Sequence, residues 1–182
     1  LYVPEQIPQV DYHRLLGLSY RQRAKLILAD YLTDFTEEEI AACVDGAYTA
    51  EHFGSDVIAP LAKVGDAVSF LELWHGPTCA FKDMALQILP YFLTTSMKKQ
   101  GEDKTVVILV ATSGDTGKAA LAGFANVPGT KIAVFYPDQG VSKIQRLQMV
   151  TQEGANVFAS GVKGNFDDVQ AFVKQIFTDQ DY

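Results

Sequence analysis

Leu71-Glu72-Leu73-Trp74-His75-Gly76-Pro77-Thr78-Cys79-Ala80-Phe81-Lys82-Asp83 runs from a short apolar strand through a Gly-Pro turn into a helix start, with a lysine at the restart. Further on, Thr105-Val106-Val107-Ile108-Leu109-Val110-Ala111 ends in Thr112-Ser113-Gly114-Asp115-Thr116-Gly117, and a helix rich in small residues follows. Each stretch reads as strand, turn, helix. One strand end carries an amine, the other carries hydroxyls and backbone amides, and together they describe a site.

Outward from this pair the rhythm is strand and helix in alternation. Strands are expected at 68–73, 105–111, 131–136 and 156–159, and helices at 81–100, 116–125, 142–153 and 166–177. The runs from Val106 to Val110 and from Ile132 to Tyr136 are uncharged and rich in β-branched residues, as strands buried in a parallel sheet are. The expected fold class is therefore α/β, a parallel sheet of βαβ units with right-handed crossovers. Pro90 falls inside the 81–100 helix and is expected to kink or break it.

Residues before this array read differently. Pro4 and Pro8 make the first eight residues an extended arm. Tyr20, Ala24, Ile27, Leu28, Tyr31 and Leu32 recur at three and four, an amphipathic helix capped by Ser19, and Thr36 with Glu39 is a capping box for a second helix to about Tyr48. Residues 51–64 read as irregular and Gly65-Asp66 as a turn, so the division is a small helical region with its arm, 1–64, and an α/β domain, 65–182.

Composition narrows the function classes. The 182 residues are 48% apolar and 20% charged, as in a soluble globular protein, and carry a formal charge of −7, which leaves no basic surface for the phosphates of a nucleic acid. No apolar run approaches the length of a membrane span, and no charged leader precedes an apolar core. Cys43 and Cys79 have neither zinc-site nor disulfide-framework spacing and read as reduced thiols of a cytoplasmic protein without a metal site. Leu1 rather than Met at the start suggests a fragment or processed form.

In an open parallel sheet, ligands bind beyond the carboxyl ends of the strands, where both marked loops lie. The Ser113 to Gly117 loop aims amides and a helix N-terminus at an anion. It is not a nucleotide-hydrolase phosphate loop, because Gly114 and Gly117 are too close and Ala119 follows Lys118, and the chain has no Gly-x-Gly-x-x-Gly.

His75-Gly76-Pro77-Thr78-Cys79-Ala80-Phe81-Lys82-Asp83 followed by Ala111-Thr112-Ser113-Gly114-Asp115-Thr116-Gly117 resembles the threonine synthase family, pyridoxal-phosphate enzymes of the tryptophan-synthase-β fold type. Residues 1–8, Tyr136-Pro137-Asp138-Gln139-Gly140-Val141-Ser142 and Gly164-Asn165-Phe166-Asp167-Asp168 are similar to further blocks of that family. The resemblance implies one half of a fold-type-II enzyme, with pyridoxal 5'-phosphate as cofactor and O-phosphohomoserine as small-molecule substrate. Lys82 is implied to bond covalently to the cofactor aldehyde and then to shuttle protons, which needs an amine at least partly neutral. The implied reaction removes an α- and then a β-proton, releases the γ-phosphate, and adds water at the β-carbon to give threonine. Phe81 and Asp115 are implied cofactor contacts, Asp115 facing the phenolic oxygen where relatives often carry Asn. Ser113, Gly114, Thr116 and Gly117 are implied to hold the substrate carboxylate, with His75 and Thr78 beside the substrate phosphate. Cys79 and Met84 depart from the family's usual residues without removing a reacting group.

Plainer roles stand beside these. His75 also reads as a hydrogen-bonded structural residue, Asp83 as a first-turn helix acid, Cys79 as packing, and Gly164-Asn165-Phe166 as a turn and helix start. The family's glycine-rich phosphate cradle and the hydroxyl facing the pyridine nitrogen do not occur before Tyr182, so the chain alone is expected to bind cofactor weakly and turn over little. The alternatives are a serine/threonine dehydratase-like lyase on the same fold and a non-catalytic module that binds an anionic metabolite. The sequence leaves the oligomeric state open.

Overall fold

The computed structural model describes residues 3–179, so Leu1 and Tyr2 of the expected arm lie outside the described residues. The chain divides into two compact units, Leu1–His75 and Gly76–Tyr182.

In the first unit a short 3-10 turn, Tyr12–Leu15, is capped by Asp11. Helix α1, Tyr20–Tyr31, starts at Ser19 with a capping box completed by Gln22, and α2, Glu37–Ala47, starts at Thr36 with the expected Glu39. Ile40, Cys43, Val44 and Ala47 of α2 are buried at helical spacing and share the unit's core with Tyr48, Phe53 and Ile58. After the short α3, Ala50–Phe53, the chain forms an antiparallel hairpin of β1, Leu61–Val64, and β2, Val68–Leu71, in which Leu61 pairs with Leu71 and Val64 with Val68.

That hairpin corrects two expectations. Residues 61–64 are strand rather than irregular, and β2 does not belong to the parallel sheet. Gly65, at a φ of +66°, supplies the left-handed turn residue that joins neighbouring antiparallel strands. Val68, Phe70 and Leu71 of β2 are exposed.

The second unit carries the α/β array. Its elements are α4, Asp83–Leu86; α5, Leu89–Gln100; β3, Val106–Ala111; α6, Asp115–Phe124; β4, Thr130–Pro137; α7, Lys143–Val150; β5, Val157–Val162; and α8, Phe166–Thr178. The sheet is parallel and three-stranded, in the order β3-β4-β5, with Ala111 level with Phe135 and Ile132 level with Val157. Central β4 alternates buried and less buried residues, and its Ile132, Val134 and Tyr136 pack with Ala120, Leu121 and Phe124 of α6 and Met149 of α7. The helix expected at 81–100 is split between Leu86 and Leu89, and Pro90 sits in the first turn of α5, where its missing N–H costs nothing. Asn165 caps α8 through Asp167 and Asp168, so Gly164-Asn165-Phe166 is the turn and helix start of the plainer reading.

Candidate active site

Ala111 is the last residue of β3, and Thr112 continues the ladder with its amide donating to Phe135 O at 3.0 Å. Thr112 is buried, and its Oγ1 accepts from the amides of Gly114 and Gly117, each at 2.9 Å. One hydroxyl thereby curls the loop that the sequence marks as an anion site. Gly114 has a φ of +139°, which L side chains rarely adopt, and a Cβ on Gly117 would run into Thr112 and Val134. Gly114 precedes α6 without a side-chain cap, so the amides of Asp115 and Thr116 are left for a ligand at the positive end of the helix. The amides of Gly114 and Gly117 are already engaged by Thr112, and these glycines shape the loop.

Asp115 lies in the first turn of α6 and is partly exposed. Its Oδ1 accepts from Gln145 Nε2 at 2.8 Å and lies 3.2 Å from Lys118 Nζ. The Gln145 amide holds this carboxyl below the usual aspartate range; burial opposes it, and Lys118 and then Lys82 add to the lowering.

Lys82 immediately precedes α4, is partly buried, and has its Nζ 4.8 Å from the centroid of the Phe81 ring. Among the described residues it has no ion-pair partner. The loop before it is held from within. Thr78 donates to Asp83 through its amide at 2.9 Å and through Oγ1 at 2.7 Å, and Gly76 lies so close to Asp83 that a Cβ there would clash with the carboxylate. Cys79, exposed, takes a left-handed φ of +56° at the tightest point of this loop. Gln148 of α7 donates to Thr78 O at 3.2 Å, and the Leu86 carbonyl presses so closely on α6 that only a glycine fits at position 123.

His75 ends the first unit. Its Nε2 is 2.7 Å from Glu72 Oε2, and its ring stacks on Trp74 with centroids 5.8 Å apart. Among the described residues no group of His, Cys, Asp and Glu could hold a metal ion, and no helix is long and apolar enough to cross a membrane.

Sequence reasoning missed Gln145, Gln148 and Lys118 as parts of this site and quoted Thr112 without assigning it a task. Gln145 has a legible signal as the N3 residue of the Ser142 capping box, since its Oε1 accepts from Ser142 N at 3.1 Å. Its other atom, turned toward Asp115, has none.

An aldehyde-bearing, anionic cofactor suits this donor set: a lysine amine without a salt-bridge partner, helix-terminal amides without a cap, and glycines where a Cβ would close the loop. Residues 57–182 match the profile of the pyridoxal-phosphate dependent enzymes, and residues 1–48 match that of the threonine synthase N terminus. The chain belongs to the pyridoxal-phosphate-dependent enzyme family. Among curated members, the threonine synthase of Pseudomonas aeruginosa is 38% identical over 186 residues, covering 100% of this chain and 39% of that protein. The structure of pyridoxal-phosphate-bound threonine synthase from Brucella melitensis superposes with a TM-score of 0.88 at 36% identity, covering 100% of this chain and 39% of its own. The yeast threonine synthase structure gives a TM-score of 0.88 at 34% identity over 98% of this chain and 38% of its own. The chain thus spans about two-fifths of the length of the family members it matches.

Proposed function

We propose that the protein carrying this chain is a threonine synthase, converting O-phospho-L-homoserine and water to L-threonine and phosphate. The observation that carries the reading is that one unit holds both the Lys82 amine, without an ion-pair partner among the described residues, and a glycine loop that Thr112 curls ahead of uncapped helix amides. Pyridoxal phosphate, when bound, supplies the electron sink for carbanion chemistry. Lys82 would hold the cofactor through Nζ, and the same nitrogen, when free, would take the α-proton and return protons later in the cycle. Phe81, whose ring lies 4.8 Å from the Lys82 Nζ, would flank the cofactor beside that amine. The amides of Asp115 and Thr116, with the hydroxyls of Ser113 and Thr116, bind the substrate carboxylate, and Thr112, Gly114 and Gly117 hold the loop in shape.

Asp115, held by Gln145 and Lys118, would meet the phenolic oxygen of the cofactor. His75, oriented by Glu72, takes the substrate phosphate. Thr78 acts on the reaction through the loop, since both of its donors are engaged by Asp83. The substrate is a small molecule, and we assign the protein to the cytoplasm without a nucleic-acid partner, in keeping with its charge of −7.

Phosphate release from O-phosphohomoserine with stoichiometric threonine tests the reading. Conversion of threonine or serine to a 2-oxo acid, without phosphohomoserine turnover, would replace it with the dehydratase alternative.

A further inference from the structure

Lys118 has no task in the mechanism above. It is the fourth residue of α6, and its neighbours Gly117, Ala119 and Ala120 are buried. Its own side chain is only 8% exposed, while that of Asp115, its ion-pair partner at 3.2 Å, is 46% exposed. The cation is therefore buried and the anion is not. A buried ammonium is costly unless compensated, and a carboxylate that shares its charge with solvent compensates it only in part. The same Oδ1 also accepts the Gln145 amide, so Asp115 is held from two sides, by α6 itself and by α7.

At the start of α6 the Asp115 carboxylate is thus paired with the buried Lys118 ammonium, and the uncapped terminus of the helix adds its dipole. That pairing resolves a difficulty. A lone ionised carboxylate facing a phenolate oxygen is repulsive, whereas one backed by a buried cation presents a nearly neutral pair.

We propose that Lys118 is a positioning residue, whose buried ammonium fixes the Asp115 carboxylate in one orientation and offsets its charge, so that the carboxylate tolerates an anionic oxygen of the bound cofactor. The proposal rests on the function proposed above. It requires Lys118 to act through Asp115, and a residue that merely fills space in α6 would act regardless of what stands at 115.

The experiment is a double-mutant cycle in the full-length protein with Lys118→Met, which keeps length and loses charge, and Lys118→Arg, which keeps charge, each in the native and the Asp115→Asn background. Pyridoxal phosphate affinity is read by absorbance titration, and thermal unfolding is read on the apoprotein. Lys118→Met is expected to weaken cofactor binding about tenfold in the native background and less than about twofold beside Asp115→Asn, with Lys118→Arg close to the parent. Equal losses in both backgrounds would overturn the proposal. If Lys118→Met does not fold, Lys118→Gln takes its place in the cycle under the same two outcomes. Should the parent bind no cofactor, the proposed function fails, and the unfolding cycle still decides whether Lys118 and Asp115 are coupled.

Discussion

Asp83 accepts twice from Thr78, through the amide at 2.9 Å and the hydroxyl at 2.7 Å, and both residues are buried. A carboxylate five residues along the chain thus closes the loop that ends in Lys82. Asp83 is the first-turn acid expected from the sequence and is also the loop's internal clasp. Asp83→Ala strands three buried donors, the two of Thr78 and the Ala80 amide at 3.4 Å, and urea unfolding is expected to show a loss of about 3 kcal/mol. Asp83→Asn keeps one acceptor oxygen and costs less. Equal stability of Asp83→Ala and the parent would show that the clasp does not hold the loop.

Thr112 allows a cleaner substitution, because Val has nearly its shape. Thr112→Val removes the acceptor for the Gly114 and Gly117 amides, costs about 2 kcal/mol in the same assay, and raises the KM for an amino-acid substrate more than it lowers kcat. Thr112→Ser keeps the oxygen and is expected to keep both properties near those of the parent.

A third prediction concerns alkaline pH. Burial, with Tyr20 beside it, pushes the Tyr48 phenol well above its ordinary value of 10.0, and burial also raises Tyr20. In the unfolded chain these phenols ionise near their ordinary value, while the folded chain keeps its protons. Above about pH 10 the unfolded state binds fewer protons than the folded one, so stability falls as pH rises. The stabilisation is fully present below that pH. Urea midpoints at about pH 8 and about pH 11 are expected to drop further for the parent than for Tyr48→Phe.

The α/β array was legible where pattern and local chemistry agree. The strands β3 and β4 and the caps at Ser19 and Thr36 appear as read, and a helix starts after Gly164-Asn165, but the burial expected of both runs holds best for central β4, while Val107 of β3 is exposed. Residues 61–64 were not legible as strand, because four residues pair only through a hairpin whose partner is equally short and exposed. Of the candidate site, Lys82 and the Ser113 to Gly117 loop were legible as motifs. The groups that orient them were not. Gln145 lies 30 positions from Asp115, and Gln148 lies 70 positions from Thr78, contacts that only the packing of α7 creates. Lys118 looked like any helix lysine, since burial is a property of the fold and leaves no mark on the residue itself.

The claim on which the account turns is that Lys82 is the residue that holds the cofactor. Borohydride reduction of the full-length protein with one equivalent of pyridoxal phosphate, followed by proteolysis and mass spectrometry, tests it directly. The account predicts the reduced label on Lys82 and its loss in Lys82→Ala. A label on another lysine, Lys118 included, or cofactor affinity unchanged in Lys82→Ala, would contradict it.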